Sequence, residues 1–224
     1  MPEDWFRRTN WTPEIEADFH VRLARARPAN RAQYLRIQAL HLQEAGGVAR
    51  LRKALELLDL MLAKYPDRIE LAEAHHGRGK CFIGLDEIDA AVGALRASFV
   101  TQRTVPNVRG PAYLTFGLLV TRERRTALYD EALAALDEFG GREILPRQQY
   151  EAAAIRALVL DAKGAHRDAA AAAQRALDSA AKTHTGLRYH PRLALVVDPD
   201  PHIQKELQRI ARSEERWRSA SADS

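Results

Sequence analysis

Four segments of this chain repeat one pattern, in which a small residue in one predicted helix is followed by an alanine in the next helix. The residues of the first kind are Ala39, Gly79, Gly117 and Ala157, and those of the second kind are Ala54, Ala91, Ala132 and Ala169. Two antiparallel helices approach each other closely only where their contact carries little side chain. The repeat therefore predicts a series of tightly packed, antiparallel helix pairs.

Hydrophobic periodicity extends this prediction to almost the whole chain. Apolar residues recur at the spacing of one helix face, and the interruptions fall at glycine, proline, asparagine and aspartate. Thr12, Asn30 and Asp200 are suited to cap helices, and Thr12 and Asp200 are each followed by a proline in the first helical turn. The predicted helices span residues 12–26, 30–45, 49–64, 69–84, 87–103, 109–123, 126–139, 147–163, 166–183 and 201–215. The predicted fold class is all-α, with one apolar run of strand-like length at residues 193–197.

The third pair carries a resemblance to a known family. Tyr113, Phe116 and Gly117, followed by Tyr129-Asp130-Glu131-Ala132, resemble the large and small positions of a tetratricopeptide repeat (TPR). The resemblance covers residues 32–178 and implies a TPR-like α-solenoid of antiparallel helix pairs. Small, free-standing TPR proteins of bacteria are the members that this chain is most similar to.

The repeat length departs from that family. A TPR unit has about 34 residues, whereas the second-helix alanines here are 37, 41 and 37 residues apart. The second and fourth pairs fit the family pattern without gaps, but the first and third carry three extra residues in the turn between their helices. HEAT-like repeats of roughly 40–47 residues therefore remain an alternative.

The predicted organisation has four parts. These are an N-terminal segment with a capping helix at 1–31, four TPR-like helix pairs at 32–183, an irregular segment with a C-terminal helix at 184–212, and a disordered tail at 213–224. Ile203, Leu207 and Ile210 form one apolar stripe on the C-terminal helix. Because the last repeat of a solenoid needs cover, we interpret this helix as a cap. The alternative folds it back into the groove as an internal ligand.

The resemblance also implies where a ligand would lie, because ligands of that family usually occupy the concave groove lined by the first helix of each pair. The corresponding residues are Arg36, Leu40, Gln43, His76, Lys80, Ile83, Leu114, Leu118, Arg122, Glu151, Leu158 and Asp161. Such a groove is partly apolar, basic in its first three pairs and acidic in the fourth. It does not reproduce the lysine and asparagine set by which some TPR co-chaperones hold a terminal carboxylate.

These positions lead us to expect a protein–protein interaction module that binds a peptide or a helix of another protein in the groove. By analogy, it is an adaptor or the neutralising partner of a toxin or effector. The alternative is a nucleic-acid-associated regulator that uses the basic part of the groove.

Charge, cysteine content and hydropathy further restrict the partners and the cellular location expected for this protein. Lys and Arg number 34 against 30 Asp and Glu, and the small excess of +4 is interleaved along the chain, so nucleic acid is not the expected partner. No stretch reaches the roughly 20 apolar residues of a membrane span, and the N-terminus lacks the apolar region of a secretion signal. A single cysteine, Cys81, forms no internal disulfide and is expected to be a buried, inert thiol. These features indicate a cytoplasmic protein, and the Ala- and Arg-rich composition suggests a bacterial one.

No catalytic, cofactor-binding or metal-binding residues are predicted, so the chain is not expected to be an enzyme. His75 and His76 are adjacent on a helix and point about 100° apart, so they cannot hold one ion together. Gly79 lies in a sequence that superficially resembles a phosphate loop, but it lacks the spacing and the preceding strand. A third possibility is an enzyme whose site lies on the segment after the last pair, where His184 and His190 could meet.

Overall fold

A computed structural model describes residues 4–105 and 107–222 of the chain, and the side chains of residues 4–105 and 107–212. Its α-helices are α1 (Pro13–Arg25), α2 (Pro28–Ala45), α3 (Val48–Lys64), α4 (Leu71–Gly84), α5 (Ile88–Thr104), α6 (Ala112–Arg122), α7 (Tyr129–Phe139), α8 (Pro146–Ala162), α9 (His166–Ala180) and α10 (Pro201–Ala222). A 3-10 turn, Thr126–Leu128, leads into α7. Since the described residues contain no strand, the predicted all-α class is confirmed.

The apolar run of strand-like length at 193–197 forms a turn followed by irregular chain. Helix α10 includes residues 213–222, which the sequence assigns to a disordered tail. The remaining residues of that tail, 223–224, and the first three residues of the chain lie outside the described part.

Two of the three predicted helix caps are confirmed. Thr12 Oγ1 accepts a hydrogen bond from the Ile15 backbone N–H at 3.4 Å. Asp200 Oδ1 accepts from the backbone N–H groups of His202 at 2.8 Å and Ile203 at 3.3 Å. The prediction for Asn30 is wrong, because α2 begins two residues earlier at Pro28, and proline is favoured in the first helical turn.

The chain divides into two compact units, residues 1–115 and 116–224, and the boundary falls inside α6. In the first unit α2 packs against α3, α3 against α4, and α4 against α5. Gly79 lies so close to α5 that a Cβ atom added to it would be 2.8 Å from the Leu95 side chain. A small residue is therefore required where α4 and α5 touch, as the sequence predicts.

The N-terminal segment of the first unit is tied to α2 by one buried side chain. Gln38 is fully buried, its Oε1 accepts from the Arg8 backbone N–H at 2.9 Å, and its Nε2 donates to the Arg8 carbonyl at 2.6 Å. Trp5 and Phe6 pack beside this clamp against the ring of Tyr34. The segment before α1 is thus part of the core of this unit.

In the second unit α8 packs against α9, and α10 packs mainly against α9 and also against α8. Leu207 and Ile210 of α10 are fully buried in a core to which α9 contributes alanines. This position favours the interpretation of α10 as a cap for the last helix pair. The sequence predicts that Gly117 contacts the second helix of its own pair. Instead, the nearest side chain is Ile155 of α8, which would lie 2.7 Å from a Cβ atom added to Gly117.

Ala132 provides a test of the small-residue contacts, because its side chain in α7 is fully buried. Replacement by arginine forces a charge into a closed contact, so Ala132→Arg should destabilise the protein by at least about 3 kcal/mol. In thermal unfolding this corresponds to a fall in Tm of roughly 6–12 °C.

The matched control is Ala134→Arg, since Ala134 lies on the same helix and is exposed. We expect the free energy of unfolding of this variant to lie within about 0.5 kcal/mol of that of the unmodified protein. Equal stability of the two variants would contradict the close packing of α7.

Candidate protein-binding surfaces

The structure places the predicted groove residues of the first unit on α2, on α4 and at the start of α6. Arg36, Leu40, Gln43, Lys80 and Ile83 are each partly exposed. Leu114 is a correction, because it is only 1% exposed and belongs to the core. His76 is 6% exposed and is likewise not an open surface residue. The TPR resemblance implied that both residues line the groove, but both side chains are buried in this unit.

A polar network joins α2, α4 and the start of α6. The guanidinium of Arg36 pairs with the carboxylate of Glu70, just before α4. His76 Nε2 lies 2.9 Å from Thr115 Oγ1, and His76 Nδ1 lies 3.5 Å from Glu73 Oε2. The charged residues that the sequence assigns to this part of the groove are thus largely engaged within the protein.

The carboxylate of Glu73 is held ionised by this network. Burial opposes ionisation, but the hydrogen bond from His76 and the positive charges of Arg36 and Lys80 outweigh it and lower the pKa of Glu73 below its ordinary value. A group with a lowered pKa stabilises the fold above its unfolded-state pKa, and that stabilisation is lost as pH falls through the folded-state pKa. The network is therefore expected to support the fold at neutral pH.

Three charged groove residues of the second unit also have internal partners. Arg122 Nε lies 2.7 Å from Glu123 Oε1. Glu151 accepts from Arg147 Nε at 3.1 Å, and burial raises the pKa of its carboxyl despite that partner. The two predicted leucines, Leu118 and Leu158, are partly exposed.

Asp161, another of the predicted groove residues, contacts two side chains. Its Oδ2 accepts from Arg209 Nη2 of α10 at 2.6 Å, and its Oδ1 lies 3.3 Å from His166 Nδ1. The acidic end of the predicted groove is therefore joined to α10 through Arg209.

A cavity of about 430 Å³, which the sequence analysis missed, lies in the second unit. It is open to solvent and is formed by the end of α7, the turn before α8, and the facing sides of α8 and α9. Leu136, Ala152 and Ala153 are its apolar lining residues. None of the twelve predicted groove residues lines it.

Three cationic side chains line this cavity: Arg156, Arg175 and Lys182. Lys182 Nζ donates to Gln149 Oε1 at 2.6 Å, and Arg156 Nη2 donates to Asp137 Oδ1 at 2.6 Å. No acceptor for the Arg175 guanidinium is found among the described residues. Positions 175, 178, 179 and 182 follow the spacing of one face of the helix predicted at 166–183, which is the signal that the sequence contained, although α9 ends at Ala180.

The segment between α9 and α10 contains a closed loop next to this cavity. The Thr185 backbone N–H donates to the Pro191 carbonyl at 2.8 Å, and Thr185 Oγ1 donates to the His190 carbonyl at 2.8 Å. Farther along, the Ala194 carbonyl accepts from the Arg147 backbone N–H at 2.9 Å, which ties the segment to the start of α8. We call residues 185–191 the closed loop.

The tip of the closed loop carries Leu187, Arg188 and Tyr189, which are all exposed. Tyr189 is 79% exposed, and the Arg188 guanidinium lies 5.4 Å from the centre of its ring. His184 Nδ1 accepts from the Gly186 backbone N–H at 3.0 Å, so this histidine helps to shape the loop.

The histidines near the start of α4 occupy different surroundings. His76 is hydrogen-bonded as described, whereas burial, assisted by the charge of Arg78, lowers the pKa of His75. Within the described residues, no group of three or more His, Cys, Asp or Glu side chains could hold a metal ion. No helix in the described part of the chain is long and apolar enough to cross a membrane.

Comparison with known proteins gives no relative for this arrangement. No protein-family model, curated protein or solved structure matches the chain.

Cys81 is fully buried, as the sequence predicts, and burial raises its pKa to about 12. At pH 8 we expect its thiol to react with 5,5′-dithiobis(2-nitrobenzoate) about 10³-fold more slowly in the native protein than in guanidinium, where the pKa returns to about 8.5. The release of coloured thiolate measures both rates. Native labelling at the unfolded rate would contradict the burial of this thiol.

Proposed function

We propose that this chain is a protein-interaction module, in which TPR-like helix pairs form a scaffold that presents a binding surface to a segment of another protein. The close contacts of α2 with α3, of α4 with α5 and of α8 with α9 support the proposed scaffold. Such scaffolds hold loops and side chains in fixed positions, and binding residues concentrate on loops held in this way.

The exposed apolar side chains of the closed loop and of the residues that follow it carry this proposal. Leu187, Tyr189, Leu193 and Val197 are all exposed within eleven residues of the chain, 187–197. Single exposed apolar side chains are ordinary, but a cluster of them indicates an interaction site. Tyrosine and arginine are also the residues that most often dominate binding energy at protein interfaces.

Charge indicates the kind of partner. Residues 182–197 contain Lys182, Arg188 and Arg192 and no acidic residue. A partner segment with acidic and apolar side chains complements this surface, and complementary charge speeds encounter and fixes register.

The proposed surface differs from the groove that the TPR resemblance implies. Arg36 and Arg122, two of the three cations expected in the basic part of that groove, pair with Glu70 and Glu123. This pairing also weakens the case for nucleic acid in the groove, because phosphate binding depends on available cations.

Tyr189 supplies the direct test, with capture of partners from the native cytoplasmic extract and quantitative mass spectrometry. A hot-spot tyrosine contributes about 2 kcal/mol, so Tyr189→Ser should weaken retention of a specific protein roughly 30-fold. Because Tyr189 is exposed, this variant should unfold at the same temperature as the unmodified protein.

The matched control is Val100→Ser, which removes another exposed apolar side chain, 59% exposed, from α5. This variant should retain the partner fully. The proposal fails if Tyr189→Ser retains as much as the unmodified chain. It also fails if the retained material is nucleic acid that nuclease removes and moderate salt releases.

A further inference from the structure

The cavity in the second unit is lined by both cationic and acidic side chains. Its lining includes the cations Arg156, Arg175 and Lys182 and the acids Glu143 and Asp178, and Arg156 is already paired with Asp137. The carboxylate of Asp178 accepts from Gln174 Nε2 at 2.8 Å, and that of Glu143 accepts from the Gly141 backbone N–H at 3.0 Å. Both carboxylates thus accept hydrogen bonds from within the protein.

Arg175 is the cation that is available to a ligand. It lies on α9, its side chain is exposed toward the cavity, and no acceptor for it is found in the part of the chain that the structure describes. A guanidinium offers two parallel N–H donors that match the two oxygens of a carboxylate. Ser179 lies beside it and donates its hydroxyl to the Arg175 carbonyl at 2.9 Å, so the lone pairs of Oγ remain for a ligand N–H.

The size and the apolar lining suit a side chain together with its flanking backbone. A volume of about 430 Å³ exceeds what a bare ion needs and falls in the range of organic ligand sites. Leu136, Ala152 and Ala153 can pack against the methylene groups that carry a carboxylate.

The cavity and the closed loop are neighbours in the same unit. Lys182, a lining residue, lies three residues before Thr185, at which the loop closes. The Arg147 N–H to Ala194 carbonyl bond holds the far end of the segment at the start of α8, two residues before Gln149 of the cavity. Both ends of the segment that carries the closed loop are therefore held within three residues of the cavity lining.

We propose that this cavity binds the carboxylate of an aspartate or glutamate in the partner segment that docks on the closed loop, an inference that rests on the proposed protein-binding function. A carboxylate is favoured over a phosphate dianion, because Glu143 and Asp178 of the lining repel the higher charge more strongly. The carboxylate anchor fixes the register of the segment, while Tyr189 and Leu187 supply the apolar contact.

The experiment uses a rhodamine-labelled hexaglutamate peptide and the full chain, with fluorescence anisotropy at about 50 mM salt, where exposed charges are weakly screened. The unmodified protein should bind the peptide, and Arg175→Gln should weaken binding about tenfold. The matched control is Arg167→Gln, because Arg167 is exposed on the same helix and does not line the cavity. Both variants lose one positive charge, so general attraction falls equally, and thermal unfolding confirms that both are folded.

Three results would overturn the carboxylate site. They are no binding by the unmodified protein, equal loss in Arg175→Gln and Arg167→Gln, and displacement of the peptide by inorganic phosphate beyond the effect of sodium chloride at the same ionic strength. The last result would assign the cavity to phosphate.

Partner capture separates this inference from the proposed function. If Tyr189→Ser loses the partner and Arg175→Gln keeps it in full, the interaction module stands and the carboxylate site fails. If Arg175→Gln no longer binds hexaglutamate while Tyr189→Ser still retains its partner, the carboxylate site is supported and the binding surface on the closed loop is contradicted.

Discussion

Close packing of helices through alanine and glycine is the constraint on which the rest of the structure depends. Ala54, Ala91, Ala132 and Ala169 are all fully buried, and Gly79 leaves no room for a Cβ atom beside Leu95. Alanine buries little apolar surface, so a helix such as α9 gains stability only when larger side chains cover it. Leu207 and Ile210 of α10 provide that cover, and an ion pair of Arg209 with Asp161 joins the same helix to the end of α8.

Charged and polar side chains also join helices within each unit, which makes these side chains less available to a binding partner. Arg36, His76 and Asp161, which the TPR resemblance assigns to a ligand, instead contact Glu70, Thr115 and Arg209. A partner that bound them would have to replace these internal contacts. The surface that we propose for binding lies where such pairing is absent or incomplete among the described residues, at Arg175 and at the tip of the closed loop.

The helices were predictable because apolar periodicity and caps such as Thr12 and Asp200 act locally. The surface was less predictable, because Leu114 and His76 have suitable spacing, and their burial depends on which elements pack over them. The cavity needs three separate elements to meet, so positions 175 and 182 indicated a polar face on the predicted helix 166–183 without showing what lies opposite it. The closed loop depends on hydrogen bonds from Thr185, which no periodicity reveals.

Hydrogen–deuterium exchange on the full chain, alone and with its captured partner, tests the central claim most directly, because it locates bound backbone without substitutions. We expect protection in residues 140–156 and 175–194, which hold the cavity and the closed loop. We expect no change in α2 and α4, whose polar side chains have internal partners. Protection of α2 and α4 with unchanged exchange at 175–194 would contradict the account and return the binding site to the groove that the repeat pattern implies.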